Sequence, residues 1–122
     1  MARILVVDEG RRLGLREMLE PHGYEVAEAA DGEEAMRLQD GDPADLVIAD
    51  LAGLGNGERN PLRELMRKYP LLKVIAVSRE GAAGFFDGLE TSRSLGAVAT
   101  ITEPFSEHEV LFHVRACLGP LD

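Results

Sequence analysis

Ile4-Leu5-Val6-Val7-Asp8-Glu9 is the stretch from which the fold of this chain can be read. Its consecutive aliphatic residues, with no polar alternation, mark a strand covered on both faces, and such strands belong to parallel sheets layered between helices. The run stops on a pair of carboxylates. In an open parallel sheet the carboxyl ends of the strands border the ligand crevice, so Asp8 and Glu9 stand where a site forms. The same design returns at Leu46-Val47-Ile48-Ala49-Asp50, and Glu103 follows Val98-Ala99-Thr100-Ile101-Thr102. Asp8, Glu9 and Asp50 together suggest a hard cation held by oxygen ligands. Glu103 is a further acid that such a site does not require.

Outward from these runs, strands and helices alternate. Residues 3 to 7 and 46 to 49 read as central strands, Tyr24 to Ala29 alternates apolar with acidic residues as a strand near an edge, and Lys73 to Val77 and Ala97 to Ile101 supply two more. Leu15, Met18 and Leu19 form the stripe of a first helix closed by Pro21 and Gly23. Asp31 and Glu34 make a capping box for a second, which buries Ala35, Met36 and Leu38. Asn60-Pro61 opens a third with Leu62, Leu65 and Met66 inward. A fourth is expected around Phe85, Phe86 and Leu89, ending before Gly96 and weakened by glycines at 81, 84 and 88. Ser106 and Glu109 cap the fifth, whose Val110, Leu111, Val114, Cys117 and Leu118 recur at helical spacing before Gly119-Pro120. The expected architecture is α/β: a doubly wound (βα)5 fold with a five-stranded parallel sheet, formed by residues 1–122 as one domain.

Composition narrows the function. A chain of 122 residues, 45% hydrophobic and 29% charged, has the size and balance of one globular domain. Its net charge of -9 argues against a nucleic acid or an anionic membrane surface as partner, since both are recognised through clustered Lys and Arg. Cys117 alone cannot form an internal disulfide. A strand pattern in place of a signal peptide, and no run near the roughly 18 apolar residues of a membrane span, predict a cytoplasmic protein.

Ile4-Leu5-Val6-Val7-Asp8-Glu9, Gly23-Tyr24-Glu25-Val26, Ala30-Asp31-Gly32-Glu33-Glu34-Ala35, Asp45-Leu46-Val47-Ile48-Ala49-Asp50, Ala76-Val77-Ser78, Gly96-Ala97 and Pro104-Phe105, taken in this order, resemble the receiver domain of bacterial two-component response regulators. The resemblance covers essentially the whole chain. It implies a flavodoxin-like sheet of order 2-1-3-4-5, and a phosphorelay signalling role in place of an enzyme's. Position by position, it implies that Asp50 is the phosphoacceptor, loaded by a histidine kinase or phosphotransfer protein. Asp8, Glu9, Asp50 and the backbone carbonyl of Ala52 would hold Mg²⁺, and the Ser78 hydroxyl would contact the phosphoryl group and act as a switch. A downstream protein would read the state through the face of the fourth helix, fifth strand and fifth helix, with the receiver as monomer or homodimer. A cis peptide before Pro104 is also expected.

The departures gather at the same crevice. Glu103 occupies the position of the family's lysine, which pairs with the phosphoryl group, and Thr100 occupies that of the switch aromatic. A pair of unit charges about 4 Å apart is worth about 4 kcal/mol at an effective dielectric of about 20, so reversing the sign works against a phosphorylated state. Replacement cations are available at Arg11, Arg12 and Arg79. The lengths of the segments 8–23, 51–59 and 78–103 also differ from the family pattern.

Plain structural readings stand beside the functional ones. Asp8 and Glu9 can cap the first helix and favour its positive end, Ser78 can cap a turn, and Asp50 can be an inherited residue that is never phosphorylated. On that reading the chain is a pseudo-receiver, a protein-interaction module that works without phosphorylation. Cys117 is expected to be buried and inert. His22, His108 and His113 lack metal-ligand spacing and are expected at the surface or in turns.

Overall fold

The computed structural model describes residues 2–8, 14–50, 61–79 and 96–119. Within them, β1 (Arg3–Val7), β2 (Glu25–Ala29), β3 (Leu46–Asp50), β4 (Lys73–Arg79) and β5 (Ala99–Glu103) build one sheet in the order β2-β1-β3-β4-β5. Every neighbouring pair is parallel. The described helices are α1 (Leu15–Leu19), α2 (Gly32–Gly41), α3 (Pro61–Lys68) and α4 (Glu107–Leu118). This is the expected doubly wound order, and the fourth predicted helix lies outside the described residues.

Alternation along each strand sorts the side chains into two cores. Ile4, Val6, Leu46, Ile48, Ile75, Val77 and Ile101 pack with Leu15 and Leu19 of α1 and Val110, Leu111 and Val114 of α4. Leu5, Val7, Val47, Ala49, Val74 and Ala76 pack on the other face with Ala35 of α2 and Leu62 and Leu65 of α3. All five residues of β3 are buried, which is why its sequence carries no polar alternation. At the edge, β2 keeps Glu25 and Glu28 exposed while Val26 and Ala29 are buried.

The helix ends follow from local chemistry. The Asp31 carboxylate accepts a hydrogen bond from the Glu34 N–H at 2.8 Å, and the Ser106 hydroxyl accepts one from the Glu109 N–H at 3.1 Å. Helix α1 is only five residues long, because Pro21 has no N–H to continue it; a 3-10 turn over Glu20–His22 follows and ends on Gly23 at φ 93. Met36 and Leu38 are partly buried, while Gln39, not expected inside, is fully so. Its side-chain amide donates to the Ala44 carbonyl at 3.1 Å and accepts from the Ala44 N–H at 2.8 Å, so no polar atom is stranded.

Several boundaries differ from expectation. β5 begins two residues later than predicted, at Ala99: Val98 is 55% exposed, and Ala97 and Val98 lead into an edge strand whose partners are all on β4. As a result Glu103 is the last residue of β5 and not the residue beyond it. Asp50 likewise closes β3 from within. Cys117 is half-buried, not enclosed, because the last turn of α4 runs past the start of β4, where the Lys73 ammonium donates to the Cys117 carbonyl at 2.7 Å. Burial still pushes the Cys117 thiol above its ordinary pKa, opposed by the charge of Lys73. His22 is half-exposed, with Nε2 3.5 Å from Glu107 Oε1; His108 is exposed and His113 half-buried. Phe85 and Phe86 lie outside the described residues.

Candidate functional site

The winding of the sheet selects the place for a site. From β1 the chain steps outward to β2, then returns across β1 to β3, so the direction of winding reverses between β1 and β3. The loops leaving these neighbours diverge at their carboxyl ends and open a crevice. Asp8 follows β1 directly and Asp50 ends β3. The register pairs Val7 with Ala49, so one further step sets Asp8 and Asp50 side by side.

Their surroundings differ. Asp50 is 1% exposed, whereas Asp8 is half-buried and its N–H donates to the Ala29 carbonyl at 2.9 Å. That bond ties the end of β1 to the end of β2. Strand alternation continues from Val6, Ile48 and Ile101, so Asp8, Asp50 and Glu103 fall on the sheet face that carries α1 and α4. Glu103 is part-exposed and stands on β5, two strands from β3. Two strand spacings amount to about 10 Å between backbones, so Glu103 borders the crevice without sharing the Asp8–Asp50 switch point. The Glu103–Pro104 peptide is cis, as the sequence led us to expect.

Ser78 occupies the β4 side of the site. Asp50 pairs with Val77, which puts Ser78 one residue beyond the level of Asp50; alternation from Val74 and Ala76 starts Ser78 on the α2 and α3 side of the sheet's end, and it is buried. Its hydroxyl is 3.3 Å from that of Thr102, and either can donate. Thr102 was not singled out in the sequence. Its pairing depends on the β4–β5 register, which aligns Ser78 with Thr102 and Arg79 with Glu103. Arg79 is thus the register partner of the acid that stands at the lysine position. Thr100, at the position of the switch aromatic, is half-buried and aligned with Ala76.

Of the residues expected to hold a cation, Asp8 and Asp50 are brought together, while Glu9 and Ala52 lie outside the described residues, as do Arg11 and Arg12. Among the described residues no group of three or more His, Cys, Asp or Glu is gathered as a metal site. The two carboxylates supply oxygen donors only. That donor set fits a hard ion that keeps several of its waters.

Comparison with known proteins agrees with this fold. A family model described as the response regulator receiver domain matches residues 4–115. The transcriptional regulatory protein CpxR of Klebsiella pneumoniae is 32% identical over 97% of this chain and 50% of its own length. The alkaline phosphatase synthesis transcriptional regulatory protein PhoP of Bacillus subtilis is 37% identical over 95% of this chain and 48% of its own. The chain therefore spans about half the length of these curated relatives. Among solved structures, a CheY-like response regulator receiver domain protein from Methanospirillum hungatei superposes with a TM-score of 0.79 at 27% identity, covering 95% of this chain and 92% of that one.

Proposed function

This chain belongs to the response regulator receiver domain family of two-component signalling, and on that premise we propose that Asp50 is its phosphoacceptor, loaded by a histidine kinase or a phosphotransfer protein. The observation that carries the reading is that Asp8 and Asp50 each directly follow the Val7–Ala49 register pair, at the β1–β3 switch point of the sheet. In the reaction an Asp50 carboxylate oxygen attacks the phosphorus of a phosphohistidine. The new O–P bond forms as the P–N bond breaks, and the departing imidazole takes up a proton. Such transfers rest on positioning and charge neutralisation, so few side chains suffice. Asp8 and Asp50, with Glu9 and the Ala52 carbonyl as further ligands, would hold Mg²⁺, which neutralises charge on the transferring group when bound. Ser78 would donate its hydroxyl to a phosphoryl oxygen.

Glu103 sets a requirement on this mechanism. A carboxylate at the lysine position raises the energy of an acyl phosphate nearby, so a cation must come from elsewhere. Arg11, Arg12 and Arg79 are the candidates that the sequence offers. The phosphorylated state would be read by a downstream protein through β5 and α4, together with the helix expected around 85–89. No helix among the described residues is long and apolar enough to cross a membrane.

Acetyl phosphate with Mg²⁺, followed by intact mass, tests the proposal against the Asp50→Asn variant. A phosphoryl adduct on the wild-type chain that disappears in the variant is the expected result. No Asp50-dependent adduct, under conditions that label an ordinary receiver, would sink the phosphoacceptor reading and leave a receiver fold that serves binding alone.

A further inference from the structure

The geometry points to Thr102 as a positioning residue for the phosphoryl site, acting through Ser78. This inference rests on the reading of Asp50 as phosphoacceptor and Ser78 as its phosphoryl contact. Ser78 is 5% exposed, and a hydroxyl so enclosed is costly to leave without a hydrogen-bond partner. The β4–β5 register brings Thr102 alongside it, and the two hydroxyl oxygens stand 3.3 Å apart. Thr102 is β-branched, which restricts its own χ1, so it presents its hydroxyl from a stiff mount on the neighbouring strand.

The chemistry of a hydroxyl gives the contact a direction. Each hydroxyl carries one proton. Once Ser78 donates that proton to a phosphoryl oxygen on Asp50, it can only accept from its neighbour, so Thr102 becomes the donor in a chain that runs from Thr102 through Ser78 to the phosphoryl group. Bonds in such a chain polarise one another. The pair is longer than the roughly 2.5–3.0 Å of a strong O–H···O bond, so Ser78 can exchange it readily for an anionic acceptor, which binds hydrogen more strongly. Thr102 precedes Glu103 on β5, and the strand leads through Pro104 into α4. Phosphoryl occupancy at Asp50 thus acquires a side-chain route to β5 that needs neither a lysine at position 103 nor an aromatic at position 100.

The test uses the full chain with Thr102→Val, which keeps the branched shape without the hydroxyl, and Thr102→Ser, which keeps the hydroxyl without the methyl. Labelling by acetyl phosphate and Mg²⁺ is followed by intact mass, and the Ser78 χ1 population is followed by NMR scalar couplings in the unlabelled protein. Thr102→Val is expected to label about fivefold more slowly, the size of one neutral hydrogen bond lost, and to average Ser78 over several rotamers; Thr102→Ser restores both. Because Thr102 acts through Ser78, the double variant Ser78→Ala/Thr102→Val is expected to label no more slowly than Ser78→Ala alone. A Thr102→Val chain with wild-type χ1 or wild-type labelling overturns the inference and leaves the Asp50 reading standing. So does a double variant whose two losses multiply. A wild-type chain that takes no Asp50-dependent label overturns the Asp50 reading first, and the inference falls with it.

Discussion

Glu103 is the residue at which the sequence and the expected chemistry pull apart. It closes an edge strand, part-exposed, across from Arg79 in register and about two strand spacings from Asp50. Glu103→Lys replaces a charge that repels a phosphoryl group with one that attracts it, and the variant is expected to raise the lifetime of the Asp50 adduct by about tenfold or more, a modest share of the charge reversal once solvent screens it. Decay of the adduct, followed by intact mass after removal of acetyl phosphate, measures this. Equal lifetimes in the two proteins would show that position 103 does not act on the phosphoryl group. Glu103 was legible from sequence because a family motif, Pro104-Phe105, anchors it. Thr102 was not, since a threonine before an acid carries no signal until strand register supplies its partner.

At the scale of elements, α2 and α3 are tied beside the sheet by a polar cluster. Asp40 of α2 lies 2.8 Å from the Lys68 ammonium of α3 and also accepts from the Tyr69 hydroxyl. The hydrogen bond from Lys68, then that from Tyr69, holds the Asp40 carboxyl below its ordinary pKa of 3.8. A carboxyl whose folded pKa is depressed contributes stability above its unfolded pKa and loses it as pH falls through the folded one. Asp40→Asn should therefore be less stable than wild-type above about pH 4, with the gap closing at lower pH, as read from urea midpoints across the acid limb. The cluster is solvated, so the gap is expected to be small. A gap that widens on acidification would contradict the assignment. The starts of α2 and α4 were legible locally, because Asp31 and Ser106 cap through their own third neighbours. Gln39 was not, since its partner is the backbone of Ala44 in the turn that follows α2.

Across the whole molecule, one sheet serves two cores, and its central strands belong to both. Leu46 and Ile48 face α1 and α4, while Val47 and Ala49 face α2 and α3. Ile48→Ala should cost about 2–5 kcal/mol. It should also lower the urea midpoint of the opposite layer equally, because a central strand cannot loosen on one face alone. Far-UV circular dichroism and hydrogen exchange at the α3 amides check this: a midpoint for α3 that stays at the wild-type value would mean the layers unfold separately. What the sequence determined by itself was the order of elements, the buried strands, the helix caps and the acids at strand ends, because hydrophobic period and capping act over a few neighbouring residues. Tertiary structure alone decided where β5 starts, that Asp50 is enclosed while Asp8 and Glu103 stay part-exposed, and that Ser78 meets Thr102. Those facts depend on strand register and packing, which join residues far apart in the chain and leave no local mark in it.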